Sequence, residues 1–375
     1  MHRSTGYFLI QNAAGALINV IHGSLAATAR GDDSCLWRRE GSRLVHLEGS
    51  VRLVSGPGKG DGLSGLALED GSAVEGPPFR VIKGPEQAPS SHLEELRSQG
   101  FTVVRNVMDE IQIARLKARM REARAEWHAE ESSHDGNFWM VDALVWSVEA
   151  VRASSHPVAL WIMRQYMDTE EIHFCHQPVI TTVKPADRLR GTFPEKGWHT
   201  DYPYHPGIFP EDSWPERPIF GVQFNVCVDA FRADNAATQY LPGSHLKRKR
   251  PTPEFNAGGT RMGHGWHARV RQWLAPAGAG LIYDARMWHR ACNELNASGR
   301  DRAAILNAVA PAWVGPMLDK RPLARAFAAS PAARGLTVRE RVEIERLCCA
   351  PTKPTPVGMP HLARPREERL LKRPA

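Results

Sequence analysis

Apolar positions in residues 1–75 come in short runs, among them Tyr7-Phe8-Leu9-Ile10, Leu17 to Ile21, Leu44 to Leu47 and Val51 to Val54, separated by Gly-rich turns. No helical period appears, so this stretch predicts a small all-β module of hairpins, trefoil-like or barrel-like. Gly76-Pro77-Pro78 and Gly84 to Pro89 predict a linker over 76–90. The pattern then changes. Ser91 with Glu94 forms a capping-box signature that opens a helix, and Gly100 closes it. A second helix starts near Asp109, with Gln112 at its third position. It carries Ile113, Leu116, Met120, Ala123 and Trp127 at helical spacing, which marks a core stripe. From about His173 to Val314 short apolar strands alternate with Gly/Pro turns, as in an antiparallel β-architecture of the jelly-roll type. Helix returns after residue 320, where Thr337 and Glu340 form another capping box, and a Pro-rich, irregular, basic tail follows.

Composition narrows the class. The 375 residues, 42% of them hydrophobic, suffice for two or three packed units. A formal charge of +7 suits an anionic small-molecule substrate and falls short of a nucleic-acid argument. Its excess gathers in Lys247-Arg248-Lys249-Arg250 and in the tail from Arg364 to Arg373, both read as solvated surface. The six cysteines show neither a paired framework nor a CxxC motif, a pattern of reducing compartments. Gln11 and Asn12 interrupt the only apolar run near the start, and no stretch is long enough to span a bilayer. The expectation is a cytoplasmic protein of open oligomeric state, with no membrane or nucleic-acid partner.

The candidate chemistry lies in His199-Thr200-Asp201 and His289. Two imidazoles and one carboxylate can cap one face of Fe(II) and leave the opposite face open. An extended Trp198–Asp201 segment turns residues 199 and 201 to the same side. With 16 histidines in the chain, such a pair alone means little. The closeness of His173 and His176 invites a zinc reading, but on a strand they face opposite ways and no second cluster supports them. His245 reads as a turn or rim residue. Tyr202, Tyr204, Phe209 and Trp214 either wall a pocket or pack a loop.

Context strengthens the iron reading. Val228-Asp229 through Asn235-Ala236 to Pro242-Gly243-Ser244-His245, and the glycine-led segment Gly278 to His289, resemble the phytanoyl-CoA dioxygenase family. So does Leu93 to Val107, as that family's opening helix and strand. The resemblance covers roughly residues 90–320. It implies a double-stranded β-helix (jelly roll, cupin-like) domain over 91–320 with flanking helices, followed by C-terminal helices and tail over 321–375. It also implies Fe(II), 2-oxoglutarate and O2 as cofactors, with C–H hydroxylation and release of succinate and CO2. Related halogenases lack the carboxylate that Asp201 supplies here. His199, Asp201 and His289 become the iron ligands. Arg302, which opens the strand after the distal histidine, becomes the partner of the far carboxylate of 2-oxoglutarate, with Arg300 as the alternative. Asn225, polar inside an apolar strand, and Gln177 are further cosubstrate-pocket candidates. Ala291 departs from relatives that carry a polar contact there. The rival readings are a cupin-like metal enzyme without cosubstrate, or a non-catalytic protein whose N-terminal module binds a ligand or partner.

Overall fold

The computed structural model describes residues 6–55, 62–63, 65–74, 77–127, 138–188, 197–204, 209, 213–253, 255 and 267–349. The basic tail expected beyond Cys349 and the side chain of Trp127 lie outside them. The protein is mainly β, with antiparallel sheets and flanking helices. No helix among the described residues is long and apolar enough to cross a membrane.

The N-terminal part forms one nine-stranded antiparallel sheet. Its strands are β1 (Phe8–Gln11), β2 (Leu17–Ile21), β3 (Ser24–Thr28), β4 (Trp37–Glu40), β5 (Arg43–His46), β6 (Arg52–Ser55), β7 (Gly62–Leu63), β8 (Leu66–Leu68) and β9 (Phe79–Lys83). Strand β9 pairs with β1 over four residues, Phe8 opposite Lys83 through Gln11 opposite Arg80. The segment expected as a linker therefore contains a sheet strand. The prolines at 77, 78 and 85 flank it and leave its N–H groups free for the ladder.

Alternation along β1 and β2 sends side chains to two different cores. Ile10, Ile18 and Val20 join Trp37, Leu53 and Phe79 inside the module. Leu9 and Leu17, with Leu36, join the large core of the following domain. The module is thus half of a shared interior rather than a bead on a string. Asp33 seals the junction: its carboxylate accepts from Ser90 N at 2.9 Å and Ser90 Oγ at 2.6 Å. Ser90 lies in the first turn of α1 (Pro89–Gln99), whose N-cap residue Ala88 makes no side-chain cap bond. The Ser91/Glu94 box does not form, because Asp33 takes the role from another part of the chain. Gly100 ends α1 in the left-handed region (φ 81°), a conformation that favours glycine.

Strand β10 (Phe101–Val104) leads to α2 (Glu110–Trp127). Here the reciprocal cap does form, with Asp109 N to Gln112 Oε1 at 2.8 Å and Gln112 N to Asp109 Oδ1 at 2.7 Å. Leu116 and Ala123 are buried, with Ile113 and Met120 packed against the same core. Next come β11 (Phe138–Met140), α3 (Ala143–Trp146), α4 (Val148–Ser154) and α5 (Pro157–Tyr166). The second half supplies β12 (Ile172–Phe174), β13 (Val179–Val183), β14 (Val222–Cys227), β15 (Gln239–Tyr240), β16 (Arg271–Gln272), β17 (Gly280–Asp284), β18 (His289–Arg290) and β19 (Arg302–Pro311). They build a seven-stranded sheet in the order β10-β17-β14-β19-β13-β11, with β12 on β19, and a three-stranded sheet β16-β15-β18.

In the large sheet Val222, Phe224, Val226, Ile282, Ile305 and Val309 face the helical core. Their neighbours face inward, where Leu281 and Tyr283 pack on Tyr240 of the small sheet. The inward row of β19 runs Arg302, Ala304, Leu306, Ala308 and Ala310, with alanine at three of its five positions. Small side chains there leave room between the sheets. Last come α6 (Arg321–Ala329), α7 (Pro331–Arg334) and α8 (Val338–Cys349). Thr337 and Glu340 cap α8 reciprocally, at 2.8 and 3.3 Å. Arg339 N donates to Ala14 O and its Nε to Gly15 O, both at 3.0 Å, so the last helix grips the first hairpin.

Candidate metal and cosubstrate site

The Trp198–Asp201 segment runs extended beside β18. His199 and His289 exchange both backbone hydrogen bonds, at 3.0 and 3.1 Å, and Asp201 N donates to Ala285 O at 2.8 Å. This pairing fixes the alternation that turns His199 and Asp201 to one side, against His289. One ligand atom from each lies within 4.8 Å of the others, and this is the only such group among the described residues. His289 Nε2 is 3.1 Å from Asp201 Oδ2, and His199 Nε2 is 3.9 Å from Asp201 Oδ1.

Both rings are held for ligation. His199 Nδ1 lies 2.9 Å from Gly197 O and His289 Nδ1 lies 2.9 Å from Met287 O. A carbonyl only accepts, so each Nδ1 carries the proton and each Nε2 presents its lone pair to the shared centre. Burial pushes the Asp201 carboxyl up, but His289, His199 and the Tyr283 hydroxyl outweigh it. They hold the group well below the usual carboxylate range. A carboxylate held ionised beside two imidazoles is a donor set suited to a divalent iron.

Tyr283 is a functional side chain that the sequence reading missed. Its hydroxyl donates to Asp201 Oδ2 at 3.1 Å and lies 3.4 Å from His289 Nε2. Asn225 Nδ2 reaches the same hydroxyl at 3.5 Å. The available signal was register: Tyr283 shares the inward face of β17 with Leu281, which pairs with Asn225.

Arg302 is buried at the start of β19, opposite Val183. Its guanidinium stacks 4.1 Å from the Phe231 ring, and its Nε donates to Asn235 O at 3.1 Å. No carboxylate pairs with it among the described residues. Burial pulls its pKa down, only partly offset by Cys227, Cys292 and Asp229. Such a cation lacks an anion. Two further inward groups lack partners: Thr181 Oγ1 and Asn225 Oδ1 are buried without a hydrogen bond. The Asn225 amide can offer Nδ2 to the same space by rotating about its last torsion. The unbonded Thr181 hydroxyl, on the same inward face as a guanidinium with no carboxylate partner among the described residues, is a donor that a small dicarboxylate would satisfy, so the residues fit 2-oxoglutarate.

Arg300, by contrast, is exposed in the turn before β19. Gln177 is half-buried ahead of β13, and no side-chain hydrogen bond ties it to the triad. The aromatic patch divides. Tyr202 packs on Cys175, Ala308 and Ala310, while Tyr204, Trp214 and Phe209 pack a loop against Ala285. His173 is structural: its Nε2 bonds Val314 O at 2.7 Å and its Nδ1 meets Lys320 Nζ at 2.6 Å. His245 is buried against the end of α1, close enough that a Cβ on Gly100 would sit 2.5 Å from its Nδ1. The described cysteines at 35, 175, 227, 292 and 348 are all buried.

Two solved structures are similar to this chain. One is the non-haem α-ketoglutarate-dependent epimerase SnoN from nogalamycin biosynthesis, 17% identical with a TM-score of 0.44, covering 60% of this chain and 83% of that one. The other is the epimerase SnoN in complex with Fe3+, α-ketoglutarate and nogalamycin RO, 16% identical with a TM-score of 0.44, covering 60% and 84%. Likeness at that level carries no argument about chemistry. No curated protein sequence matches the chain. The family model for phytanoyl-CoA dioxygenase (PhyH) matches residues 96–304, more than half of the chain and a span that includes His199, Asp201, His289 and Arg302. The chain therefore belongs to the phytanoyl-CoA dioxygenase family of iron- and 2-oxoglutarate-dependent enzymes, whose cofactors are Fe(II), 2-oxoglutarate and O2.

Proposed function

We propose that the protein hydroxylates a C–H bond of a small, anionic molecule in the cytoplasm. One oxygen atom of O2 enters the product and the other enters succinate as 2-oxoglutarate loses CO2. The two facing sheets are read as the halves of a double-stranded β-helix. His199, Asp201 and His289 would hold the iron, and Arg302 would hold the far carboxylate of 2-oxoglutarate, with Thr181 and Asn225 beside it. Gln177 is assigned to the pocket rim. The bound metal supplies oxygen activation. The protein's own contribution is placement: Nδ1 anchors aim the imidazoles, Tyr283 steadies Asp201, and the closed sheet interior keeps water from the cosubstrate.

The observation that carries this reading is the intact carboxylate of Asp201 together with a buried arginine that pairs with no carboxylate among the described residues. A metal-binding scaffold needs no such cation, and a cupin-like enzyme without cosubstrate leaves it unexplained. The test is succinate release across a metabolite panel, followed by mass detection of one added oxygen atom. Succinate formed with a substrate that gains no oxygen would replace hydroxylation by another outcome at the same iron. No succinate with any substrate or in its absence would remove the cosubstrate.

A further inference from the structure

A cavity of about 580 Å3 opens away from the triad, where the N-terminal module, the start of α2 and helix α8 meet. That volume is in the range of small-molecule pockets. Three cationic side chains border it from the module: Arg39 on β4, and Arg80 and Lys83 on β9. Arg80 and Lys83 have no ion pair or hydrogen bond among the described residues, and Arg39 only overlies the Phe8 ring at 5.3 Å. Across the cavity stands His156, 5% exposed, with neither ring nitrogen bonded and Nδ1 fully covered. Burial, and then Arg339, keep it neutral, with a pKa lowered to about 3.

The remaining charges mostly cancel. Arg152 pairs with Glu340 at 3.2 Å, and Arg339 is spent on the Gly15 and Ser155 carbonyls. Asp109 and Glu110 are the opposing carboxylates, and Asp109 is engaged in capping α2. That cap leaves the Glu110 and Ile111 N–H groups at the cavity without a partner among the described residues. Helix N–H groups, unpaired Arg and Lys, and a buried unbonded imidazole together make a cradle for an oxyanion.

We propose that this cleft is a second binding site, separate from the iron centre, for a small molecule carrying a phosphate- or sulfate-type group. The tetrahedral oxyanion sits between Arg80 and the start of α2, with Lys83 adding positive charge at the cavity border from the end of β9, and the body of the ligand reaches His156. Sulfate is the probe, since it leaves Fe(II) in solution. The full chain, loaded with Fe(II) and 2-oxoglutarate without O2, is melted across a sulfate series at constant ionic strength. Sulfate also stabilises proteins by exclusion, but that part is common to all variants. A saturating rise in Tm is expected for the wild type, with apparent affinity at least about tenfold weaker in Arg80→Ser/Lys83→Ser. The two serines lie on exposed or half-exposed positions, and the metal-to-ligand absorption band should stay unchanged. An identical sulfate response in both proteins overturns the proposal, as does a wild-type response that never saturates. If binding holds, AMP against an aryl sulfate distinguishes the phosphate source from the sulfate source.

Discussion

Replacing Arg302 with leucine separates two effects that usually travel together. The guanidinium makes one hydrogen bond, to Asn235 O, and one ring contact, with Phe231. Losing these costs about 1 kcal/mol each. Against this, leucine removes a buried cation that Asp229 only partly compensates and that pairs with no carboxylate among the described residues, and burying an unpaired ion costs several kcal/mol. Without cosubstrate, then, Arg302→Leu should be as stable as the wild type or more so. With cosubstrate the sign reverses. The far carboxylate of 2-oxoglutarate would be buried without its partner, a loss of about 3–5 kcal/mol, so affinity should fall by about two to three orders of magnitude. Iron binding should survive because the arginine is no ligand. Arg300→Leu, in an exposed turn, should change neither quantity by more than about 0.5 kcal/mol. The assay titrates 2-oxoglutarate into the anaerobic Fe(II) protein, following its absorption band, beside thermal melts with and without cosubstrate. A sharply lowered melting point without cosubstrate, combined with unchanged affinity, would make Arg302 a structural strut and refute the reasoning.

Asp201→Ala should lose most of its iron affinity and all turnover while remaining folded, read as metal stoichiometry after desalting. Tyr283→Phe should keep iron but shift the absorption band and weaken the metal by roughly tenfold or more, because Asp201 Oδ2 loses its donor; an unchanged band and affinity would dismiss Tyr283 as packing. Removing residues 1–85 should give an insoluble or much destabilised chain, since Leu9, Leu17 and Leu36 belong to the shared core and Asp33 caps α1; a soluble, iron-binding truncation would contradict that. Acid should destabilise the fold through His92 and His173, both lowered to about 4, and His156, lowered to about 3, chiefly by burial. The unfolded chain takes up these protons near pH 6.5 and the folded one only near 4 or below, so stability is full above 6.5 and falls as pH drops through that window, by about 1.4 kcal/mol per pH unit for each histidine. Urea melts from pH 7 to 4.5 measure it, and a flat profile would contradict the burial of these rings.

The triad was legible because strand parity is a local rule: an extended His-Thr-Asp must turn its first and third side chains the same way. The Asp109/Gln112 and Thr337/Glu340 caps were legible for the same reason, since each is complete within four residues. Asp33 was not, because it caps a helix that starts more than fifty residues later and only the folded junction brings the two together. Strand β9 was hidden by the prolines around it, which read as loop until β1 supplies a partner. Tyr283 looked like any aromatic in an apolar strand. Its role depends on the register of β17 against β14 and on the crossing of β18, neither of which the local pattern contains. Arg302 could be told from Arg300 by its place at the head of an apolar strand, while its lack of a counter-ion needed the packed interior.

The grip of Arg339 on the first hairpin also bears on how the chain is made. The N-terminal sheet is synthesised before the domain that covers it, carrying Leu9, Leu17 and Leu36 on a face whose covering helices are not yet made. Its Ala14 and Gly15 carbonyls wait for a residue more than three hundred positions later. Strand β19, which bears Arg302 and sits between β13 and β14, also arrives near the end. Chains interrupted before residue 302 would therefore present an open apolar sheet and an interior without β19 at once, and such intermediates aggregate readily. Completion of the interior therefore waits on elements made after His199, Asp201 and His289.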